Sequence, residues 1–179
     1  MTTANKITLF RVVLIPVFLV LAYTGHLRLA LAVFVLASLS DMLDGYIARH
    51  YDQITDFGKF MDPLADKVLV MAAMCYFVEA GRMPGWALAI VLLREFAVSG
   101  MRLVAVEQGR VIAAAWSGKI KTAATMVCLC LMLLIAPPDR GDSAPDWIAQ
   151  LSTAVILATT VYSGVEYFLK NLDVFRHVD

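Results

Sequence analysis

The chain alternates long apolar runs with short polar breaks, at a rhythm that predicts helices throughout. The first run extends from Ile7 to about Tyr23, interrupted only by Thr8 and Arg11. Counted from Asn5, it is long enough to cross a hydrocarbon core about 30 Å thick. Pro16 falls inside it and predicts a kink. A turn over Tyr23–Arg28 leads to a second helix expected at 29–50. A polar connector at 50–58 leads to a third at 59–80. Gly and Pro between Glu79 and Gly85 predict the next turn. A fourth helix is expected at 86–108, closed by Gln108-Gly109-Arg110. A fifth covers about 113–136, and the segment from Pro137 to Pro145 reads as a loop. A sixth covers 147–169, followed by a polar tail. The chain shows no internal repeat beyond this rhythm and no low-complexity tract.

Composition turns helices into membrane spans. Of 179 residues, 60% are hydrophobic and mean hydropathy is +0.74, against about 45–50% apolar in an ordinary soluble domain. The expected fold is an all-α integral membrane protein with six transmembrane helices, forming one domain over residues 1–179. Six spans return both termini to one side. Arg28, Arg82 and Arg140 lie in the turns after helices one, three and five, and the other twelve Lys and Arg lie on or toward the opposite side. The positive-inside rule makes that side, with both termini, cytoplasmic. A cleaved signal peptide is disfavoured by Arg11 within the run and by the lack of an A-x-A-type site. A formal net charge of zero leaves no bulk electrostatic case for nucleic acid. Cys75, Cys128 and Cys130 sit in apolar runs without metal-finger spacing and read as packing residues with no disulfide. His26 lies in a turn without a carboxylate or cysteine nearby and reads as a surface residue.

Charge inside the runs is concentrated in one stretch. Asp41 and Asp44 are three residues apart near the end of the second run, and Asp62 and Asp66 are four apart near the start of the third. Each spacing puts a pair on one helix face. A connector of roughly ten residues lets the two helices fold back as antiparallel neighbours, so the four carboxylates can converge. Such a cluster cannot stay ionised at membrane depth unless a cation offsets it, and one or two divalent metal ions with oxygen ligands are the simplest candidate. Gly45 and Ala48 lie one turn after the first pair, and Gly58 one turn before Asp62. Their small side chains let a ligand or a facing helix approach the backbone. Arg49, at the expected membrane edge, suits a phosphate. Solvated helix ends are the plainer reading, and it is adopted here for Asp52 and Asp56 in the connector.

Two further polar sets fall toward the same half of the membrane. One is basic: Arg94, Arg102, Arg110, Lys119 and Lys121, with Thr122. The other is Asn5, Thr8 and Arg11, spaced by three and sharing a face. Cations inside spans are costly unless paired or facing a polar cavity. A carboxylate–metal site beside a basic pocket suggests phosphate chemistry, the pocket holding a second anionic substrate. Plainer readings compete residue by residue. Arg94 could pair with Glu95 or Glu166, Arg110 could be a solvated loop residue, and Lys119 and Lys121 could be topological anchors. Asn5, Thr8 and Arg11 could form a snorkelling helix start. A cation transporter or channel would also use intramembrane aspartates, but these acids cluster toward one face instead of tracking across the membrane.

The central stretch resembles the signature of the CDP-alcohol phosphatidyltransferases, D-x2-D-G-x2-A-R-x8-G-x3-D-x3-D. Every fixed position is filled: Asp41, Asp44, Gly45, Ala48, Arg49, Gly58, Asp62 and Asp66. Within that family, three further segments resemble the bacterial CDP-diacylglycerol–glycerol-3-phosphate 3-phosphatidyltransferases. These are Asn5-x-x-Thr8-x-x-Arg11 with Pro16, Arg94-Glu95-Phe96 with Ser99-Gly100-x-Arg102, and Gly118-Lys119-Ile120-Lys121-Thr122. The likeness runs from Asn5 to about Met126. It departs at Thr125, where many members have Gln, and at Met101, where leucine is usual. The last run and the loop before it carry no motif.

The resemblance implies a membrane enzyme that transfers the phosphatidyl group of CDP-diacylglycerol to sn-glycerol 3-phosphate, giving phosphatidylglycerophosphate and CMP. It implies two ions of Mg²⁺ or Mn²⁺ on Asp41, Asp44, Asp62 and Asp66, with Asp66 also the general base on the attacking hydroxyl. Asn5, Thr8, Arg11, Asp41, Gly45, Ala48, Arg49 and Gly58 would border CDP-diacylglycerol. Arg94, Arg102, Lys119, Lys121 and Thr122 would hold the glycerol phosphate. It further implies a homodimer in the bacterial inner (cytoplasmic) membrane, with its site facing the cytoplasm. Serine, inositol phosphate or phosphatidylglycerol are the alternative acceptors within the family, and the basic pocket favours a phosphate-bearing one.

Overall fold

The computed structural model describes residues 3–50, 56–110, 112, 113, 115–135 and 147–172; within its helices the side chains of 3–8, 41–50, 56–63 and 66 are not described. Among the described residues all regular secondary structure is helical, in six helices. They are α1 (Thr3–Tyr23), α2 (Leu27–His50), α3 (Asp56–Glu79), α4 (Gly85–Glu107), α5 (Trp116–Ile135) and α6 (Trp147–Lys170). Each expected helix is present, with ends within a few residues of those read from the apolar runs. α1 continues through Pro16.

The turns explain why the ends are sharp. After α1 the chain enters the left-handed region at Gly25 (φ 84°), the N–H of His26 donates to the Leu21 carbonyl at 2.9 Å, and that of Gly25 to Ala22. This pair of bonds satisfies carbonyls that the helix end would otherwise leave open, and it needs a residue without a Cβ at the turn. The same arrangement closes α4, where Gly109 has φ 71° and Arg110 N–H donates to the Ala105 carbonyl at 2.8 Å.

The chain divides into two compact units. The first holds α1, α2, α3 and residues 129–135 of α5. α1 packs on both α2 and α3. Its core is built from Phe18, Phe34, Leu69, Met74, Phe77, Leu129, Met132 and Leu133, with Ala22, Ala30, Ala37 and Ala73 where small side chains let backbones approach. The Phe18 and Phe34 rings lie 5.7 Å apart. Tyr23 meets Tyr76 edge-on and donates its hydroxyl hydrogen to Glu79.

The second unit holds α4, residues 116–128 of α5, and α6. α4 and α6 pack together. α4 buries Ala87, Val91, Val98, Met101 and Ala105, a seam at heptad spacing, and Arg94 falls on the same seam. α6 buries Ala149, Ser152, Thr153, Ile156, Thr160, Ser163, Gly164 and Tyr167. That face is made mostly of small side chains, which permits close approach of α4. Val98, Met101, Ala105 and Tyr167 form its apolar centre, flanked by Val104, Ile112, Ala115 and Phe168.

Large apolar side chains face outward on helix after helix, for example Phe10, Val13, Val17 and Val20 on α1, and Leu93, Phe96, Leu103 and Val106 on α4. Contiguous exposed apolar surface of this kind suits lipid. Among the described residues two helices, α5 and α6, are long and apolar enough to cross a membrane, and shorter apolar stretches cover Leu9–Tyr23 and Leu27–Ser40. His26 is exposed, as expected, with Nδ1 3.2 Å from the Thr24 hydroxyl. The three cysteines are free.

Candidate functional site

α2 and α3 carry the aspartate stretch. Asp41, Asp44, Gly45, Ala48 and Arg49 lie in the last part of α2; Gly58, Asp62 and Asp66 lie in the first part of α3. These two helices touch. The residues between His50 and Asp56 can reach about 20 Å at most, whereas a helix of 24 residues is about 36 Å long. α3 therefore begins close to the end of α2. Asp44 stands six residues before the end of α2 and Asp62 six after the start of α3, about 9 Å along each axis. Asp41 and Asp66 stand nine and ten residues in, about 14–15 Å along. Counted along each helix from the connector, the two pairs stand at similar heights. All four donors are carboxylates, hard oxygen ligands of the kind Mg²⁺ and Mn²⁺ take, so the donor set fits such ions. The side chains of these residues, like those of Asn5 and Thr8, lie outside the described residues. Arg11, their companion on α1, is fully buried. Among the described side chains no cluster of three or more His, Cys, Asp or Glu offers a metal site.

The basic set lies on the second unit, and the structure sorts it. Arg94 and Glu95 are neighbours on α4, and Lys121 reaches them from α5. Arg94 Nη1 donates to Glu95 Oε1 at 2.9 Å, and Lys121 Nζ donates to the same oxygen at 2.5 Å. All three side chains are nearly enclosed, at 13% exposure for Arg94, 14% for Glu95 and 7% for Lys121. The ion pair with Glu95, one of the two plainer readings of Arg94, is therefore formed. The other, with Glu166, is not: Glu166 pairs with Lys170 one turn along α6.

Two glycines make room for Arg94. A Cβ on Gly164 of α6 would stand 3.1 Å from Arg94 Cγ, and one on Gly118 of α5 would stand 3.6 Å from its Nη2. The guanidinium and its stem thus lie between two backbones. Arg94 Nε is buried and meets no hydrogen-bond acceptor among the described residues. A buried guanidinium N–H without an acceptor is costly in the absence of an anion. Thr125, one turn beyond Lys121 on the same face of α5, is also buried, and its hydroxyl has no partner among the described residues.

The remaining basic residues have other partners. Arg102 Nε donates to the Tyr167 hydroxyl at 3.0 Å, and its guanidinium lies 5.5 Å from the centre of that ring. Lys119 is exposed and sits 5.1 Å from the centre of the Trp116 ring. A lysine against a tryptophan at the start of an apolar helix also suits an interfacial position, the plainer reading of Lys119. The Thr122 hydroxyl donates to the Gly118 carbonyl at 3.1 Å. Sequence reasoning had Glu95 only as a partner for Arg94 and missed Gly164 and Tyr167. Their signal was present as the face of small residues repeating along α6, but a small face alone does not say what it accommodates.

Among the described residues, six helices with lipid-suited faces and a part-buried guanidinium–carboxylate–ammonium cluster, on a chain that also carries four carboxylates at helical spacing, define a membrane-associated protein equipped for phosphate chemistry. The family model for CDP-alcohol phosphatidyltransferases matches residues 1–163, and the chain belongs to that family. Membership makes it a transferase. It is 40% identical to the CDP-diacylglycerol–glycerol-3-phosphate 3-phosphatidyltransferase of Bacillus subtilis over 96% of both chains. Proteins of the same name from Sodalis glossinidius, 38% identical over 96% of both chains, and Rickettsia typhi, 32% identical over 92% of this chain and 93% of that one, are also similar.

Proposed function

We propose that this protein transfers the phosphatidyl group of CDP-diacylglycerol to sn-glycerol 3-phosphate, giving phosphatidylglycerophosphate and CMP. The observation that carries this reading is the match of nearly the whole chain to relatives of that name, joined to a part-buried Arg94–Glu95–Lys121 cluster suited to a phosphate-bearing acceptor. We further propose one domain of six membrane-spanning helices in the bacterial inner membrane, with both termini and the site toward the cytoplasm, working as a homodimer. The exposed apolar side chains of every helix support the membrane spans, and the basic bias of one side supports the orientation; the homodimer rests on the family resemblance alone.

Asp41, Asp44, Asp62 and Asp66 would hold Mg²⁺ or Mn²⁺, whose charge would neutralise the diphosphate and polarise the phosphorus under attack. Asp66 accepts the proton of the glycerol 3-phosphate hydroxyl. The freed oxygen bonds to the phosphorus that carries diacylglycerol, the bond from that phosphorus to the CMP oxygen breaks, and CMP leaves with the electron pair. A carboxylate held against the hydroxyl needs little displacement for this transfer. Asn5, Thr8, Arg11, Gly45, Ala48, Arg49 and Gly58 border the CDP-diacylglycerol. Arg94 and Lys121 grip the acceptor phosphate, with Arg102, Lys119 and Thr122 around it.

The test is CMP release by purified protein in detergent with CDP-diacylglycerol and Mg²⁺, offering glycerol 3-phosphate, inositol phosphate, serine or phosphatidylglycerol, each with and without EDTA. Metal-dependent release with glycerol 3-phosphate alone is expected. Release with another acceptor would discard the basic-pocket argument, and no release from folded protein would discard the enzyme reading.

A further inference from the structure

We infer that Glu95 is a positioning residue for the acceptor, holding Arg94 and Lys121 together as one phosphate grip. This rests on the acceptor reading above. The two cations arrive from different helices, α4 and α5, and meet at a single atom, Glu95 Oε1, at 2.9 and 2.5 Å. Left without that carboxylate, two buried cations would repel one another and withdraw toward solvent. With it, the cluster keeps a net charge of plus one at low exposure. The carboxylate engages Nη1 of Arg94, so the Nε edge of the guanidinium is not consumed, and Nε is the buried donor that meets no acceptor among the described residues. A phosphate oxygen is the acceptor chemistry that matches it. The stem of Arg94 lies against Gly164 and its Nη1 is bonded to Glu95, so the side chain is held at both ends. Glu95 touches neither the reacting phosphorus nor the attacking hydroxyl in this reading; it acts through the two cations.

The experiment compares KM values for glycerol 3-phosphate and CDP-diacylglycerol, with kcat, in wild type, Glu95→Gln, Glu95→Asp and Lys121→Ala, each checked for monodispersity and thermal unfolding in detergent. Glu95→Gln should raise the glycerol 3-phosphate KM by about tenfold or more, the scale of one lost charge-assisted hydrogen bond, and leave the CDP-diacylglycerol KM unchanged. Glu95→Asp, which keeps the charge and shortens the reach, should fall between wild type and Glu95→Gln. Unchanged acceptor KM in folded Glu95→Gln, or the same rise for both substrates, overturns the inference. If Glu95→Gln does not fold, Glu95→Asp decides: a raised acceptor KM alone supports the inference, and two unchanged KM values overturn it. Absence of glycerol 3-phosphate turnover in wild type would instead sink the acceptor reading. A raised acceptor KM in Lys121→Ala without one in Glu95→Gln would sink only the role of Glu95.

Discussion

Replacing Gly164 by alanine should not stabilise this protein, although the same change does so in most helix interiors. Glycine inside a helix costs about 1 kcal/mol relative to alanine, so the substitution begins with that gain. The new Cβ, however, would stand 3.1 Å from Arg94 Cγ, several tenths of an ångström inside ordinary carbon contact of about 3.5–4.0 Å. The stem cannot swing aside freely, because its guanidinium is bonded to Glu95 and its backbone belongs to the α4 seam. Overpacking of this kind costs about 1–3 kcal/mol, leaving Gly164→Ala neutral to about 2 kcal/mol less stable. Gly118→Ala is the internal control. Its Cβ would meet Arg94 Nη2 at 3.6 Å, an ordinary contact, so the propensity gain survives. The two variants should differ by about 1–3 kcal/mol, at roughly 2–4 °C per kcal/mol for a chain of this size. Thermal unfolding of both in the same detergent, followed by tryptophan fluorescence, measures the difference. Gly164→Ala should also raise the acceptor KM. If it unfolds at or above the temperature of Gly118→Ala, the stem is not confined and the argument for a slot fails.

Three other outcomes are expected. Tyr167→Phe keeps the ring beneath Arg102 but removes the acceptor of its Nε–H, so it should cost about 0.5–1.5 kcal/mol of stability, readable as a small drop in unfolding temperature. Lys121→Ala should raise the apparent KM for glycerol 3-phosphate far more than that for CDP-diacylglycerol, and equal effects would refute its assignment to the acceptor. Asp66→Asn should abolish CMP release in protein whose unfolding temperature is near that of wild type; turnover at the wild-type rate would remove it as the base.

Most of the architecture was legible in the chain. Helix existence and ends follow from apolar runs broken by Gly and Pro, and Gly25 and Gly109 stop α1 and α4 where the pattern predicts, because stop signals act within a few residues. The place of the aspartate stretch at the end of α2 and the start of α3 was legible too, since its residues are at most 25 positions apart and their heights along each helix follow from helix rise alone. The choice of partners was not. Arg94 had two carboxylates available, and only the packing of α4, α5 and α6 selects Glu95. Lys121 meets Glu95 across 26 residues, and Arg102 meets Tyr167 across 65. α6, without a motif of its own, proves to carry the slot for Arg94 at Gly164 and the platform for Arg102 at Tyr167. By itself the sequence determined the helices and their apolar faces, because these depend on local periodicity. Only the tertiary structure decided which cation shares which carboxylate, because that depends on distances between helices, which no local pattern encodes.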